Sequence, residues 1–198
     1  MNLQVIPVGS RSETTDEIRA AQQLMKQDRR RAFAELNELF RKGHPPDSPL
    51  EGPYDGKLVA VDILPGITQF VEWLSALWMP WKGKYLLKED AKGDNIFGQN
   101  SRLILRLLFP LYRGFIENDK ETFRAFVFTT SIDVGRADPD RKVLKINYDS
   151  SFNPALTIRR ILDEVVQVGE GTYLGKIHLR WWWGTWKMIG YFSLQAKK

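Results

Sequence analysis

Few residues of this chain have the type and company that chemistry needs. It contains two histidines and no cysteine, which rules out disulfides, thiolate metal sites and cysteine nucleophiles. His44 stands in a proline-rich loop. His178 lies in a strand-like run with Lys176 and Arg180 on its own face, and reads as a hydrogen-bonded residue rather than a haem or metal ligand. Asp163 and Glu164 are sequence neighbours, so on a strand they point to opposite faces and cannot work as a pair. No HExxH, GxSxG, P-loop or GxGxxG is present. GRADPDR has too few oxygen ligands in order for a calcium loop and reads as a turn. The chain advertises no catalytic residue, no metal and no cofactor.

Two features stand out from that background. Arg106 is the one charge inside the apolar run SRLILRLLF, and a buried cation needs an anionic partner or an acidic ligand. Asp62, Asp133, Asp163 and Glu164 are its candidate partners. If the run is a strand, Ile104, Arg106 and Leu108 share a face; the same run also reads as a helix. The second feature is LRWWWGTWKMIGYFSL, with Trp181, Trp182, Trp183 and Trp186 crowded together. A two-residue turn at Gly184-Thr185 predicts that Trp183 faces Trp186, Trp181 faces Met188, Leu179 faces Gly190 and Ile177 faces Phe192. That register turns Trp181, Trp183 and Trp186 inward and leaves Trp182 outside.

The elements that must position these residues follow from pattern. SETTDEIRAAQQLMKQDRRRAFAELNELFRKG carries Ile18, Ala21, Met25, Ala32, Leu36 and Phe40 at helical spacing, with Thr14 or Thr15 as cap and Gly43 as stop. Its polar middle is a place for a break. After the loop HPPDSPLEGPYDG comes the strand KLVAVDI, then a second helix, GITQFVEWLSALWMPW, ended by Pro80. From Gly83 onward, short β-branched and aromatic runs alternate with turn signals such as GRADPDR, DSSFNP and GEG. This predicts a mainly β fold with α additions: an antiparallel barrel with an N-terminal helix and a second helix capping one end. Residues 1–50 form the helical segment and loop, and 51–198 the barrel, as one structural unit.

Composition narrows the partners. The 198 residues, 43% of them hydrophobic, suffice for one sizeable core. The net charge of +5 is concentrated in KQDRRR at 26–31 and in the terminal AKK, without the basic, aromatic-interleaved stripe of a nucleic-acid binder. No signal-like segment and no run near 18 apolar residues is found. A cytoplasmic protein without stable membrane insertion is the expectation.

EGPYDGKL, PWKGKYL and ILDEVVQVGEGTYLGKIHLR closing with GYFSL resemble an uncharacterised lipocalin-like group, in which a GXWXG-type segment precedes a domain of unknown function. The likeness spans roughly residues 33–194, with Tyr54 at the place of the group's central tryptophan. It implies a calycin-like barrel whose broader relatives hold apolar or amphiphilic small molecules, and it implies no reaction. The expected function is therefore binding of such a molecule, with Trp181, Trp183, Trp186, Met188 and Phe192 lining the cavity and Arg106 as polar anchor. An isomerase, cyclase or hydratase acting on such a ligand is the enzymatic alternative, for which Asp62, Glu164 and Tyr148 are the residues to inspect. An interaction surface built on exposed Trp78 and Trp182 is the third.

Overall fold

Helix α1 (Arg11–Leu24) and helix α2 (Arg29–Lys42) come from the single amphipathic stretch, which breaks at the polar residues between them. Asp28 makes the second start possible by accepting a hydrogen bond from the Arg31 amide. The first helix begins upstream of the threonines expected to cap it; Thr14 is instead buried inside the helix and donates to the Val168 carbonyl at 3.2 Å. The computed structural model describes residues 11–62 and 80–197. Most of the helix anticipated between Gly66 and Trp81, with Trp78, lies outside the described residues.

The strands are β1 (Gly52–Val61), β2 (Trp81–Leu87), β3 (Lys92–Gly98), β4 (Ile116–Glu117), β5 (Thr122–Val134), β6 (Lys142–Asn147), β7 (Ile161–Gly169), β8 (Thr172–Arg180) and β9 (Trp186–Ala196). Each long strand pairs antiparallel with its sequence neighbours, β1 pairs with β9, and β3 pairs with β5. The result is a closed, up-and-down barrel of eight strands, with β4 a short addition to β5. Closure removes the free edges that an open sheet would expose. The chain thus belongs to the β-barrel class with helical additions.

The antiparallel order sends alternate connections to opposite ends. Residues 99–121, 148–160 and 181–185 connect strands at one end; residues 88–91, 135–141 and 170–171 connect them at the other. Inward residues such as Phe97, Phe123, Phe128, Ile146, Val165, Ile177 and Leu194 build the inner core. A second core lies outside the wall, where Ile18, Ala21, Leu36 and Phe40 of the helices cover Val59, Val143, Val166, Leu174 and Tyr191. Ion pairs to the buried Asp138 fasten that layer: Asp138 accepts from the half-exposed Arg41 and from the buried Lys176, and Lys176 also donates to Asn37 at 2.7 Å.

Two local expectations are corrected. SRLILRLLF is not a strand: Arg102–Leu108 form helix α3, which buries Leu105, with Phe109 just after it, against the barrel end. The β8–β9 turn is longer than Gly-Thr alone. Trp181 donates to Thr185, Gly184 donates to Trp181, and Gly184 has φ +91. This is a tight turn followed by a left-handed glycine, the three-residue hairpin solution. The register moves accordingly: Ile177 faces Gly190, Gly175 faces Phe192 and Tyr173 faces Leu194. A slip of two keeps every side chain on its face, so Phe192 and Leu194 do point inward. Near Ile189 the ladder is bulged, and a bulge inverts the alternation beyond it; Met188 therefore packs on the outer core.

Candidate functional site

The residues expected to line a cavity are mostly elsewhere. Trp181 stacks on Trp183 at 5.5 Å with planes 4° apart, at the tip of the hairpin, and Trp182 and Trp183 are 59% and 71% exposed. Trp186 is held outside the wall by Arg136 and Arg180. Arg106 is exposed on α3, over the Phe115 ring. Of the six, only Phe192 lines the interior cavity.

What the barrel encloses is a charged pair that the sequence reading did not single out. Lys84 on β2 and Asp163 on β7 meet at 2.9 Å inside the barrel, both buried. Each is the lone charge on an inward face, Lys84 beside Leu86 and Asp163 between Ile161 and Val165. Tyr148 and Asn95 complete the group. Lys84 donates to the Asn95 Oδ1 at 3.1 Å and to the Tyr148 oxygen, and the Tyr148 hydroxyl lies 3.0 Å from Asn95 Oδ1 and 3.2 Å from Asp163 Oδ2. Trp81 Nε1 donates to the same Asn95 oxygen at 3.1 Å. The three ammonium protons are thereby spent.

Aromatic rings surround the ammonium: Trp81, Phe128, Tyr148 and Phe192 have centroids 5.0–5.5 Å from Nζ. Glycines make room for them. Trp81 lies across Gly56, Phe128 across Gly93 and Phe192 across Gly175, each so close that a Cβ would stand nearer than 3.0 Å to the ring. The glycine on the interior hairpin face thus marks a close approach, and what approaches is the protein's own ring.

Burial pulls the Lys84 ammonium below its ordinary range, while the Asp163 charge opposes that shift. Burial, and then the Asp163 charge, push the Tyr148 phenol well above 10, so it keeps its proton. Burial also raises Tyr54, Tyr191, and Tyr112 and Tyr173, the last two to about 12. These tyrosines hold protons in the folded state that the unfolded chain releases near pH 10. Their contribution is full below that pH and is lost as pH rises through the folded values. The thermal midpoint will therefore fall steeply above about pH 10, and tyrosinate absorbance at these residues will grow only with unfolding. Ionisation of all five ahead of the loss of ellipticity would contradict this placement.

The cavity beside the cluster is about 40 Å³ and is lined on its apolar side by Leu58, Phe97, Phe126, Ile158, Ile161 and Ile177. It lies toward the end that carries α3. Phe126 is its conspicuous wall. At φ +62 it occupies the left-handed region that non-glycine residues rarely adopt, at the β5 bulge between Ala125 and Phe128. The Tyr112 hydroxyl accepts its amide proton at 2.6 Å. Asn95 Nδ2 and the second oxygen of Asp163 make no hydrogen bond to any described residue, and both residues line the cavity. The site thus offers one unspent donor and one unspent acceptor.

Asp163 and Glu164 do separate across the wall. Glu164 faces outward, where it accepts from the Arg136 amide at 2.6 Å and bonds His178 Nε2 at 3.0 Å. Asp62 is outside as well, paired with Arg29 at 2.9 Å. Of the residues named for an enzymatic reading, Tyr148 alone reaches the cavity. Among the described residues no cluster of three or more His, Asp or Glu could hold a metal ion. No family model, curated protein or solved structure matches this chain detectably.

Proposed function

We propose that the barrel binds a small amphiphilic molecule whose neutral polar head docks between Asn95 and Asp163. The observation that carries this reading is the unspent pair, an amide donor beside a carboxylate acceptor at the edge of an apolar chamber. An alcohol or primary amide both donates and accepts, and so satisfies both groups. A carboxylate head would meet the Asp163 charge, while Lys84 has no proton left to offer it. The likeness to lipocalin-like barrels, drawn from landmarks such as Tyr173-Leu174-Gly175-Lys176, points to the same class of ligand.

At about 40 Å³ the cavity holds a few waters, against roughly 300–1,000 Å³ for drug-sized ligands. A head group fits as the chamber stands, and a tail needs a wall to yield. Phe126, strained in its backbone, is the wall that gives way in this reading.

The test is a titration with decanol, decanamide and decanoate, following tryptophan emission in the native chain and in Trp81→Phe. Alcohol and amide are expected to shift the emission, decanoate to do so weakly, and Asn95→Leu to abolish the shift. No response to any of the three sinks the proposal. One observation favours a second reading, an isomerase or hydratase on such a ligand: the protonated Tyr148 and the Asp163 carboxylate stand 3.2 Å apart inside an apolar chamber. Turnover lost in Tyr148→Phe, with binding kept, would establish it.

A further inference from the structure

We infer that the barrel end carrying α3 and the tryptophan tip docks on the surface of an anionic lipid bilayer. The proposal is independent of the ligand reading, since it rests on surface residues and not on the cavity.

Among the described residues, thirteen large hydrophobics are exposed, and all but Leu87, Ile132 and Val134 belong to the connections at this one end. The segment RLILRLLFPLYR buries Leu105, Phe109 and Tyr112, and turns its other aliphatics to solvent: Leu103 and Leu107 are 70% and 73% exposed, and Leu111 is 88% exposed. A folded domain does not normally leave so many aliphatics of one short segment in water. The next connection adds Phe152 and Leu156, and the β8–β9 hairpin adds Trp182 and Trp183. The antiparallel barrel order places these three connections around one rim.

Cations are interleaved with this surface. Arg106 and Arg113, both exposed, punctuate the aliphatic segment, whose Arg102 is spent on Glu117, and Arg160 lies under Trp182 at 4.2 Å. Aliphatics that enter the acyl boundary, indoles at headgroup level and arginines reaching phosphates make up the pattern of an interfacial surface. Arg106, which finds no acidic ligand inside the barrel, here faces phosphate oxygens.

Other occupants fit less well. Single-stranded nucleic acid uses arginine and aromatic stacking faces, but has no use for Leu103, Leu107 and Leu111. A two-fold dimer through this patch would set the same arginines against each other, because such an interface meets itself. No described helix is long and apolar enough to cross a membrane, and part of the outer barrel wall is covered by α1 and α2 rather than free to meet lipid. A cysteine-free chain suits the cytoplasmic side, whose leaflet is the anionic one.

Vesicle co-sedimentation tests the proposal, with phosphatidylcholine alone and phosphatidylcholine mixed with phosphatidylglycerol. The full chain is expected to pellet with the mixed vesicles and to be released by salt. Arg106→Gln should weaken binding about fivefold, the worth of one arginine near such a surface. The double variant Leu107→Glu/Leu111→Glu should stay in the supernatant with unchanged ellipticity. Tryptophan emission should shift to the blue on mixed vesicles, and less so in Trp182→Ala/Trp183→Ala. Native protein that stays in the supernatant with mixed vesicles overturns the inference. So does a concentration-dependent dimer, or an oligonucleotide complex, that the Leu107/Leu111 substitutions abolish while vesicle binding is absent.

Discussion

Lys84→Met will lower the unfolding free energy of the barrel by about 3–5 kcal/mol, the usual cost of stranding one member of a buried ion pair. Methionine fills most of the space among Trp81, Phe128 and Phe192, so the loss is electrostatic rather than one of packing. What it leaves behind is the Asp163 carboxylate, buried and without its cation. Such a group relieves itself by taking up a proton. In the variant, a folded carboxyl that holds its proton above the unfolded value makes folding more favourable as pH falls. The penalty will therefore shrink on acidification, whereas a packing defect would not respond. Lys84→Met/Asp163→Leu should recover most of the stability, because replacing both charges by apolar groups is often neutral or better. Guanidinium denaturation followed by ellipticity, at neutral and mildly acidic pH, measures all three. If the double variant is no more stable than the single one, the pair does not dominate this interior.

The second large effect lies across the barrel. Gly175→Val will cost about 3 kcal/mol, at the upper end of what overfilling a packed core costs, because its Cβ would stand inside the space of the Phe192 ring. Phe192 cannot swing aside freely: it packs edge-to-face on Trp81 at 5.6 Å and leans on the Lys84 ammonium. Gly175→Val/Phe192→Ala should be less destabilised than the sum of the two single variants by about 1–2 kcal/mol, a coupling normal for residues in contact. Thermal unfolding of the four proteins provides the cycle. Additive losses would mean that the ring does not occupy the glycine's space.

The barrel was legible in the sequence because turn signals and β-branched runs repeat all the way from Gly83 to the C-terminus. What was not legible had physical causes. SRLILRLLF is apolar at nearly every position, so it carries no period to separate strand from helix; of its apolar residues only Leu105 and Phe109, one helical turn apart, are buried. In the last hairpin Gly184 was assigned to the wrong place in the turn. That error was harmless for Ile177, Phe192 and Leu194, because two positions are one full strand period. It was not harmless for Met188, which lies beyond a bulge that no local signal announces. The site was hidden differently. Lys84 reads as an ordinary charge on a short strand and Asp163 as a candidate partner of Arg106, and only their positions on inward faces of two strands distant in sequence expose the pair. Arg106 draws attention as a charge among leucines, yet in that segment Leu103, Leu107 and Leu108 are exposed along with it.

The strand order also dictates when each part of the molecule becomes possible. Around the barrel, every pairing but one joins strands that follow one another along the chain, apart from the short β4. The exception is the seam, where Tyr54 of β1 meets Ala196 of β9. Local pairings form early because they close short loops, and the distant one must wait. Helix α1 lies over that seam: Gln22 donates to Leu58 on β1, Arg11 donates to Ala196 on β9, and Gln195 donates to Thr15. The described element that leaves the ribosome first thus has its berth completed only by the last, and serves as a latch that engages after the cylinder has shut.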